Sequence, residues 1–319
     1  MADDGQALRG RRESIDVLRH QLHNPDAHQH RSRLFLASAL GDSVNAEALV
    51  AAGCDVAEAD DRGLTPLHGA AVGGFLDVAE LLVRAGSPLD APDHRGRTAL
   101  HYAAVYGHEA VIRCLGRAGA ALDVRDARRE TPLWGAASRG RAAAVRCLAG
   151  LGADINARDK RDQGPLFVAA AHGHVATVTI LLGLSAEIED RNSFGMTALH
   201  AAVLRDHVEV AEALVAGGAQ TEAADVKGRT ALCAAAAAGS AAAMRVLIRA
   251  GAALGAADDC GVTPLHIAAM NGHAEAVRLL VGAGADAEAE DGNGCTPVVV
   301  AVALGHSDIV KFLMGKAVC

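Results

Sequence analysis

The sequence of 319 residues has very few aromatic side chains: one tryptophan, two tyrosines and five phenylalanines, or 3% of the chain. Hydrophobic residues nevertheless reach 51%, so a core has to be built from Ala, Leu and Val. Because protein interiors are close-packed, side chains this small favour helices that approach one another closely in thin layers. A core filled by large rings is therefore excluded.

Features of secretion and membrane insertion are also missing. The seven cysteines include no C-x-x-C pair and are odd in number, which argues against a disulfide framework. The first residues have no apolar stretch of the kind that a signal peptide needs, and apolar runs such as 298–304 are too short to cross a bilayer. We therefore expect a cytoplasmic or nuclear protein without a membrane partner.

The sequence has no overall basic excess, since 30 Lys and Arg stand against 38 Asp and Glu, for a net charge of −8. Nucleic-acid-binding proteins usually show a basic balance, so we expect no nucleic-acid partner. The charge is unevenly spread, however. Residues 95–191 carry 14 basic and 10 acidic side chains, whereas the segments on both sides are acidic. A basic middle therefore lies between acidic ends.

Motifs for catalysis are absent. The sequence contains no G-x-x-x-x-G-K-[ST], no H-E-x-x-H, no G-x-S-x-G and no G-x-G-x-x-G between a strand and a helix. Residues 1–31 contain four histidines, but no cysteine or carboxylate there completes a metal-ligand spacing. We therefore predict no enzyme, no cofactor and no metal site, and interpret residues 1–31 as a tail with one short helix around 14–22.

What the sequence does contain is a repeat of 33 residues that begins with Thr65-Pro66-Leu67-His68. A search for such periods comes first because a missed repeat leads to the wrong fold. The same slot begins nine times without a shift in register, at Ser32, Thr65, Thr98, Thr131, Gly164, Thr197, Thr230, Thr263 and Thr296. The copies at 32 and 164 are degenerate.

Each copy has the signals of two helices and a turn. Thr is a good N-cap, and Pro is tolerated at the first helical position because its missing N–H would be unpaired there. A first helix with the pattern L-H-x-A-A ends at a glycine such as Gly74. A second helix with apolar residues at i, i+3 and i+4, such as Leu76 to Val83, ends at a second glycine. The turn residues Asp60 and Gly63 then form a projecting finger.

These motifs resemble the ankyrin repeat, and the resemblance covers residues 32–319. It implies an all-α solenoid of helix-turn-helix units with hairpin-like fingers, in which the first helices line a groove. We therefore expect a tail over 1–31 and one ankyrin repeat domain over 32–319, with degenerate first and last repeats. The resemblance also implies that the motif histidines, such as His68, and the second recurring histidines, such as His108, are structural.

Information about function should lie where the copies differ. Positions four and eight after each Thr share one helix face, and this face contains Tyr102 and Tyr106 in the third repeat. Aromatic residues and arginine are enriched in interface hot spots. We therefore predict a partner site in repeats three to six. For Trp134 the other interpretation is that it only fills space between repeats. The predicted groove residues are Tyr102, Tyr106, Trp134, Arg139, His172 and Arg205.

The finger tips, three residues before each Thr, are basic in the second to fifth repeats: Arg62, Arg95, Arg128 and Arg161. A row of like charges raises the local potential and attracts an acidic partner. The other interpretation is a solvated edge on which the arginines pair locally with Asp126, Asp159 and Asp162.

The sequence thus predicts a non-enzymatic scaffold or adaptor that binds a protein with an acidic patch and is monomeric on its own. Two alternatives stay open. A substrate-recognition subunit of a ubiquitin ligase would carry a further C-terminal helical box, for which we see no sequence. A structural anchor in a cytoskeletal or ciliary assembly would need further domains.

Three copies depart from the pattern. Asp162 and Ser185 stand at glycine positions of the fifth repeat, Asp206 does so in the sixth, and the first helix of the seventh is almost entirely alanine. Alanine favours helix but buries little area. We therefore predict that repeats five to seven are the least stable part of the chain.

Overall fold

A computed structural model describes residues 32–316, so the predicted tail and its short helix lie outside the described residues. Residues 32–316 form eighteen α-helices and no β-strand, which confirms the predicted all-α repeat fold. Odd-numbered helices are the first helix of each repeat, and even-numbered helices are the second. They are α1 Arg33–Leu40, α2 Ser43–Ala51, α3 Pro66–Gly73, α4 Leu76–Arg84, α5 Ala99–Tyr106, α6 Glu109–Arg117, α7 Pro132–Ser138, α8 Ala142–Leu151, α9 Pro165–Ala171, α10 Val175–Gly183, α11 Ala198–Leu204, α12 Val208–Ala216, α13 Ala231–Ala238, α14 Ala241–Arg249, α15 Pro264–Met270, α16 Ala274–Ala283, α17 Pro297–Ala303 and α18 Ser307–Lys316.

The backbone divides into two compact units. The first unit contains the described residues up to Ala136 together with Arg146–Asp154. The second contains Ala137–Val145 together with the described residues from Ile155 onward. The division passes through α7 and α8, and a single repeat domain over 32–319 stays a prediction.

The Thr and His of the motif close the start of the first helix. The N–H of Thr65 donates to Nδ1 of His68 over 3.1 Å, so the ring proton lies on Nε2. That Nε2 donates to the carbonyl of Arg97 in the next finger over 3.0 Å. His101 donates in the same way to Glu130, and in the second unit His200 and His266 donate to Arg229 and Cys295. The predicted structural role of these histidines is confirmed.

The second set of histidines joins neighbouring repeats at the other end of the first helix. Nε2 of His108 lies 3.0 Å from the carbonyl oxygen of Val72, 36 residues earlier. The glycine that ends α3, Gly74, has a φ of 78°, and a Cβ added there would lie 2.4 Å from Nδ1 of His108. Glycine is therefore required both by the left-handed backbone and by the ring of the next repeat.

The fingers are turns fixed by one aspartate each. In the second repeat, Oδ1 of Asp60 accepts from the N–H groups of Arg62 and Leu64, each over 2.9 Å. The N–H of Asp60 donates to the carbonyl of Leu64 over 3.0 Å, and Gly63 closes the turn with a φ of 79°. The finger is thus a hairpin-like turn without a strand.

The core consists of small aliphatic side chains, as the composition predicts. Leu67 and Leu82 in the first unit and Leu214 and Leu247 in the second are fully buried. In the last repeat, the first helix leaves Val302 and Leu304 more than half exposed, while Val300 is half-buried. Across residues 32–316, no helix has both the length and the apolar content that a bilayer span requires.

Candidate functional site

Three arginine finger tips are exposed in the first unit: Arg62, Arg95 and Arg128. Each follows the aspartate that fixes its finger by two residues. The N–H groups of Arg62, Arg95 and Arg128 donate to Oδ1 of Asp60, Asp93 and Asp126 over 2.9, 2.7 and 2.7 Å. The aspartates thereby hold the backbone of all three tips in the same turn, so that each arginine side chain begins from an equivalent position.

Backbone hydrogen bonds join these fingers to one another. The carbonyl of Arg62 accepts from the N–H of His94 over 2.9 Å, and the carbonyl of Arg95 accepts from the N–H of Ala127 over 2.7 Å. The carbonyl of each of these arginines is therefore bonded to the residue that precedes the next arginine tip. We call Arg62, Arg95 and Arg128 the arginine edge.

The structure places Tyr102 in the interior, with 2% of its surface exposed. Its hydroxyl donates to Oδ2 of Asp93 over 2.7 Å, and the guanidinium of Arg97 binds the same oxygen over 2.8 Å and lies 4.5 Å from the ring centre. The prediction that Tyr102 contacts a partner is therefore wrong, because the side chain is buried. The hydroxyl of Tyr102 thus binds the aspartate that fixes the turn carrying Arg95.

The charges around Asp93 are balanced within this cluster. Burial alone would raise the pKa of the Asp93 carboxyl, but the charge of Arg97 and the hydrogen bonds from Tyr102 and two backbone N–H groups outweigh it, and the pKa is lowered. Burial raises the pKa of the Tyr102 hydroxyl above its usual value. Asp93 is therefore an anion and Tyr102 a neutral donor at neutral pH.

The other aromatic residues of the first unit are also largely enclosed. Tyr106 is half-buried, and its ring stacks on His108 with centres 5.9 Å apart. Trp134 is 2% exposed, and its backbone N–H donates to Oγ1 of Thr131 over 3.2 Å. Trp134 is thus unavailable to a partner, because it occupies the interior slot that the motif histidine fills in other repeats.

In the second unit, the predicted groove residues lie at the C-terminal ends of first helices. Arg139 and His172 are half-buried, and Arg205 is exposed. Nδ1 of His172 lies 2.7 Å from the carbonyl of Val168 in its own helix, and the ring stacks on His174 with centres 6.0 Å apart. The finger tip of the fifth repeat, Arg161, is exposed. The candidates of this unit are thus accessible to different degrees.

Two exposed apolar residues of the fingers are absent from the sequence-based prediction: Phe194 at one tip, and Val226 immediately before the tip of the next finger. Phe194 is 57% exposed and Val226 is 63% exposed. Phe194 occupies the same sequence position as the arginine tips. A search for charged residues at this position misses it, because its side chain is apolar. The sequence-based prediction also does not mention Arg129. Its φ is 61° at a finger position where six other fingers have glycine and the fifth has Asp162.

The described residues offer no group that could act as a metal site. Within 32–316, no three His, Cys, Asp or Glu side chains stand close enough to hold a metal ion together. Burial is the main reason why the pKa of four histidines lies below the usual value. They are His68, His101, His174 and His200. Each of them also lies within hydrogen-bonding distance of a backbone carbonyl of a neighbouring repeat.

Comparisons with known proteins agree with this geometry. The family model described as ankyrin repeats (3 copies) matches residues 34–126, 115–192, 166–258 and 242–318. A solved structure, that of the human ASB11 ankyrin repeat domain, is similar with a TM-score of 0.64 and 27% sequence identity. The similarity covers 69% of this chain and 98% of that domain. No curated protein matches the sequence.

Proposed function

Since this chain belongs to the ankyrin repeat family, we propose that it is a non-enzymatic interaction module that binds another protein through its finger tips. Ankyrin repeats are protein-binding repeats. We propose in addition which surface of this chain binds and what kind of partner it binds. The arginine edge is the observation that carries the proposal.

Three features favour the arginine edge over a merely solvated row of charges. The tips are exposed, their turns are fixed by aspartates, and neighbouring tips are joined by backbone hydrogen bonds of 2.9 and 2.7 Å. A partner therefore meets charges on a backbone that is already ordered, so less conformational entropy is lost on binding. The oxygen Oδ1 of each aspartate accepts from a backbone N–H group of its own finger, so each aspartate orders the turn that carries its arginine.

The partner should carry carboxylates or other anionic groups on the surface that it presents. Complementary charge accelerates encounter and selects against partners of the same sign. The whole chain carries a net charge of −8, so the arginine edge is a local basic surface on a chain that is acidic overall, and an acidic partner is directed towards it. Binding should weaken as salt rises, because exposed charges are screened over about 8 to 10 Å at moderate ionic strength.

The remaining candidates extend the proposal within each unit. In the first unit, half-buried Tyr106 is a lesser contact. In the second unit, exposed Arg205 and Arg161 and half-buried Arg139 and His172 are the candidates. Tyr102 and Trp134 leave the list of contacts because both are 2% exposed.

We also propose that the protein acts as a monomer in the cytoplasm or nucleus. Six cysteines of the described chain are free thiols: Cys54, Cys114, Cys147, Cys233, Cys260 and Cys295. Burial raises the pKa of Cys114, Cys147 and Cys233, which keeps these thiols protonated and less reactive. Such thiols suit a reducing compartment.

The test is affinity capture from cell extract with the wild-type chain and with Arg95→Glu/Arg128→Glu, analysed by mass spectrometry. A matched control is Arg84→Glu/Arg117→Glu, which makes the same change in net charge at exposed sites on α4 and α6. Captured proteins should be lost from the first variant and retained by the control.

The captured partner is then bound to the purified chain at low and high salt. A partner that binds both variants as tightly as the wild type, or whose affinity does not depend on salt, would overturn the assignment of the arginine edge. Circular dichroism of each variant establishes that the chain is folded in every measurement.

A further inference from the structure

The second unit has an apolar pair at its finger edge, formed by Phe194 and Val226. Both side chains are more than half exposed, and they lie on neighbouring fingers of the sixth and seventh repeats. Small isolated apolar residues on a surface need no explanation, but a phenylalanine beside a valine on two adjacent fingers is a larger apolar area. Contiguous exposed apolar surface is a feature of interaction sites.

The two residues are held side by side by the backbone. The carbonyl of Phe194 accepts from the N–H of Val226 over 3.1 Å. A Cβ added at Gly195 would lie 3.1 Å from Cγ1 of Val226, so the valine side chain covers the turn that carries Phe194. Val226 therefore lies next to the turn that carries Phe194.

Side chains on both fingers fix this arrangement. Oδ1 of Asn192 accepts from the N–H of Phe194 over 2.9 Å, and Oδ1 of Asp225 accepts from the N–H of Lys227 over 2.8 Å. The guanidinium of Arg191 bridges the two fingers by donating to the carbonyls of Gly195 and Ala224. Both turns are thus ordered before any partner arrives, which favours tight binding.

The fold does not require an apolar residue at these positions. In the finger-tip slot of Phe194, the other described repeats have polar or small residues: Arg62, Arg95, Arg128, Arg161, Lys227, Cys260 and Asn293. Nor does Phe194 contribute a buried ring to the core, as its exposure shows. Its stabilising contribution to the folded chain is therefore small, and its presence calls for a different role.

Positive charges stand on both sides of the apolar pair within this unit. On one side, the N–H of Ser193 donates to the carbonyl of exposed Arg161 over 3.0 Å. On the other side, Lys227 follows Val226 and is exposed. Exposed carboxylates stand here too: Asp162 follows Arg161, and the N–H of Asp259 donates to the carbonyl of Lys227 over 3.1 Å. The apolar pair therefore lies between two basic residues, each of which has an aspartate beside it.

We infer that Phe194 and Val226 form the anchor site for an extended segment of a partner protein that carries one bulky apolar side chain between acidic residues. The apolar side chain packs on the pair, and the acidic residues lie towards Arg161 and Lys227. This inference rests on the proposed interaction function and adds the chemistry of the segment that the second unit binds. Aromatic anchors surrounded by polar contacts dominate the affinity of many interfaces.

The experiment uses the full chain and random peptides displayed on phage as the probe. Peptides selected on the wild type are measured against Phe194→Ser/Val226→Ser and against Arg161→Glu/Lys227→Glu. The matched control is Leu40→Ser/Val44→Ser, which removes two other exposed apolar residues, 55% and 76% exposed, from the first unit. Thermal unfolding of each variant is compared with that of the wild type.

The expected result is enrichment of peptides with an aromatic or large aliphatic residue flanked by Asp or Glu. The affinity of these peptides should fall about tenfold or more in both second-unit variants, and should be unchanged in the Leu40→Ser/Val44→Ser control. Peptides enriched in Lys or Arg, or peptides that bind every variant equally, would overturn the anchor site but not the interaction function. Failure to select any peptide and to capture any protein would overturn both.

A lipid surface is the other class of partner that a basic and apolar edge suggests, and a parallel measurement addresses it. Wild-type chain and Phe194→Ser/Val226→Ser are sedimented with phosphatidylserine vesicles. We expect neither to sediment. Sedimentation of the wild type that is lost in the variant would assign the pair to membranes and overturn the peptide site.

Discussion

The hydroxyl of Ser240 donates a hydrogen bond to Oδ1 of Asp206, at a place where five other pairs of neighbouring repeats have a histidine and a glycine. Gly173 and His207 illustrate the usual pair: a Cβ added at the glycine would lie 2.7 Å from Nδ1 of the histidine. In the sixth repeat the glycine is replaced by an aspartate, and the histidine of the next repeat is replaced by a small serine. The two changes fit together because the serine leaves room for the larger side chain.

This pairing predicts strong coupling between the two positions. Ser240→His alone should lower the free energy of unfolding by about 1 to 3 kcal/mol, because its ring would overlap the side chain of Asp206. Asp206→Gly/Ser240→His should recover most of that loss, since it recreates the usual pair. Urea unfolding of the two single variants and the double variant measures a coupling energy of about 1 to 3 kcal/mol. Simple additivity would contradict the pairing.

A second prediction concerns Ser185, which has a φ of 64°. Seven other copies have glycine at this helix end, for example Gly218 with a φ of 93°, and a Cβ added at Gly218 would meet nothing within 4 Å. The cost at Ser185 is therefore one of backbone conformation rather than of space. Ser185→Gly should stabilise the chain by about 0.5 to 1 kcal/mol, because relief of the left-handed strain exceeds the added entropy of the unfolded glycine.

The reciprocal change, Gly218→Ser, is the matched control for Ser185→Gly. It should destabilise the chain by a similar amount, since it introduces the same residue into the same backbone conformation. Thermal unfolding of the two variants measures both effects. An increase in midpoint temperature for Gly218→Ser would contradict the conformational explanation.

The pH dependence of stability is the subject of a third prediction. Burial lowers the pKa of His101 to about 4. The unfolded chain, with an ordinary histidine pKa near 6.5, therefore binds the proton more readily than the folded chain. The stability that neutral His101 contributes is full above about pH 6.5, and it is lost as the pH falls towards 4. Between pH 7 and pH 5, the loss is about 2 kcal/mol.

Proton NMR of the His101 ring checks this directly, since its titration should lie below pH 5. In His101→Gln, the titrating group is removed while a hydrogen-bond donor and acceptor are kept. Its stability should fall less between pH 7 and pH 5 than that of the wild type. A His101 titration near pH 6.5 would show that the ring is not held neutral by burial.

A fourth prediction concerns the stability of repeats five to seven. Three residues in or next to these repeats adopt positive φ without being glycine: Asp162 at 56°, Ser185 at 64° and Asp206 at 58°. The first helix of the seventh repeat, α13, buries mainly alanine. Amide hydrogen exchange of α9 to α14 should therefore be faster than that of α3 to α6. The slowest exchange in α9 to α14 would refute the prediction.

Much of the fold can be predicted from the sequence because the repeat positions obey local rules. Thr65, His68 and Gly74 are predicted as cap, inter-repeat bond and helix end, and the structure places them in those roles. Tyr102 could not be placed from its spacing. Two side chains four residues apart share a helix face, but spacing alone does not tell whether that face is open. The hydroxyl of Tyr102 donates to Asp93, which lies in the finger that precedes α5.

The candidate surface could be predicted less completely. The tips Arg62, Arg95 and Arg128 are exposed as expected, since their turns are fixed by aspartates that the sequence displays. The apolar pair could not be predicted, because the side-by-side position of Phe194 and Val226 depends on a hydrogen bond between two fingers. Positions on different repeats become neighbours only once the register between fingers is known.

The finger tips, rather than the second helices, should meet the partner, and photo-crosslinking can distinguish the two surfaces. A photoreactive amino acid is placed either at His94 or at Glu80. His94 is exposed beside the arginine edge and leaves its three arginines intact, whereas Glu80 is exposed on α4. We expect the captured partner to crosslink from position 94 and not from position 80. Crosslinking from position 80 alone would show that the second helices form the binding surface.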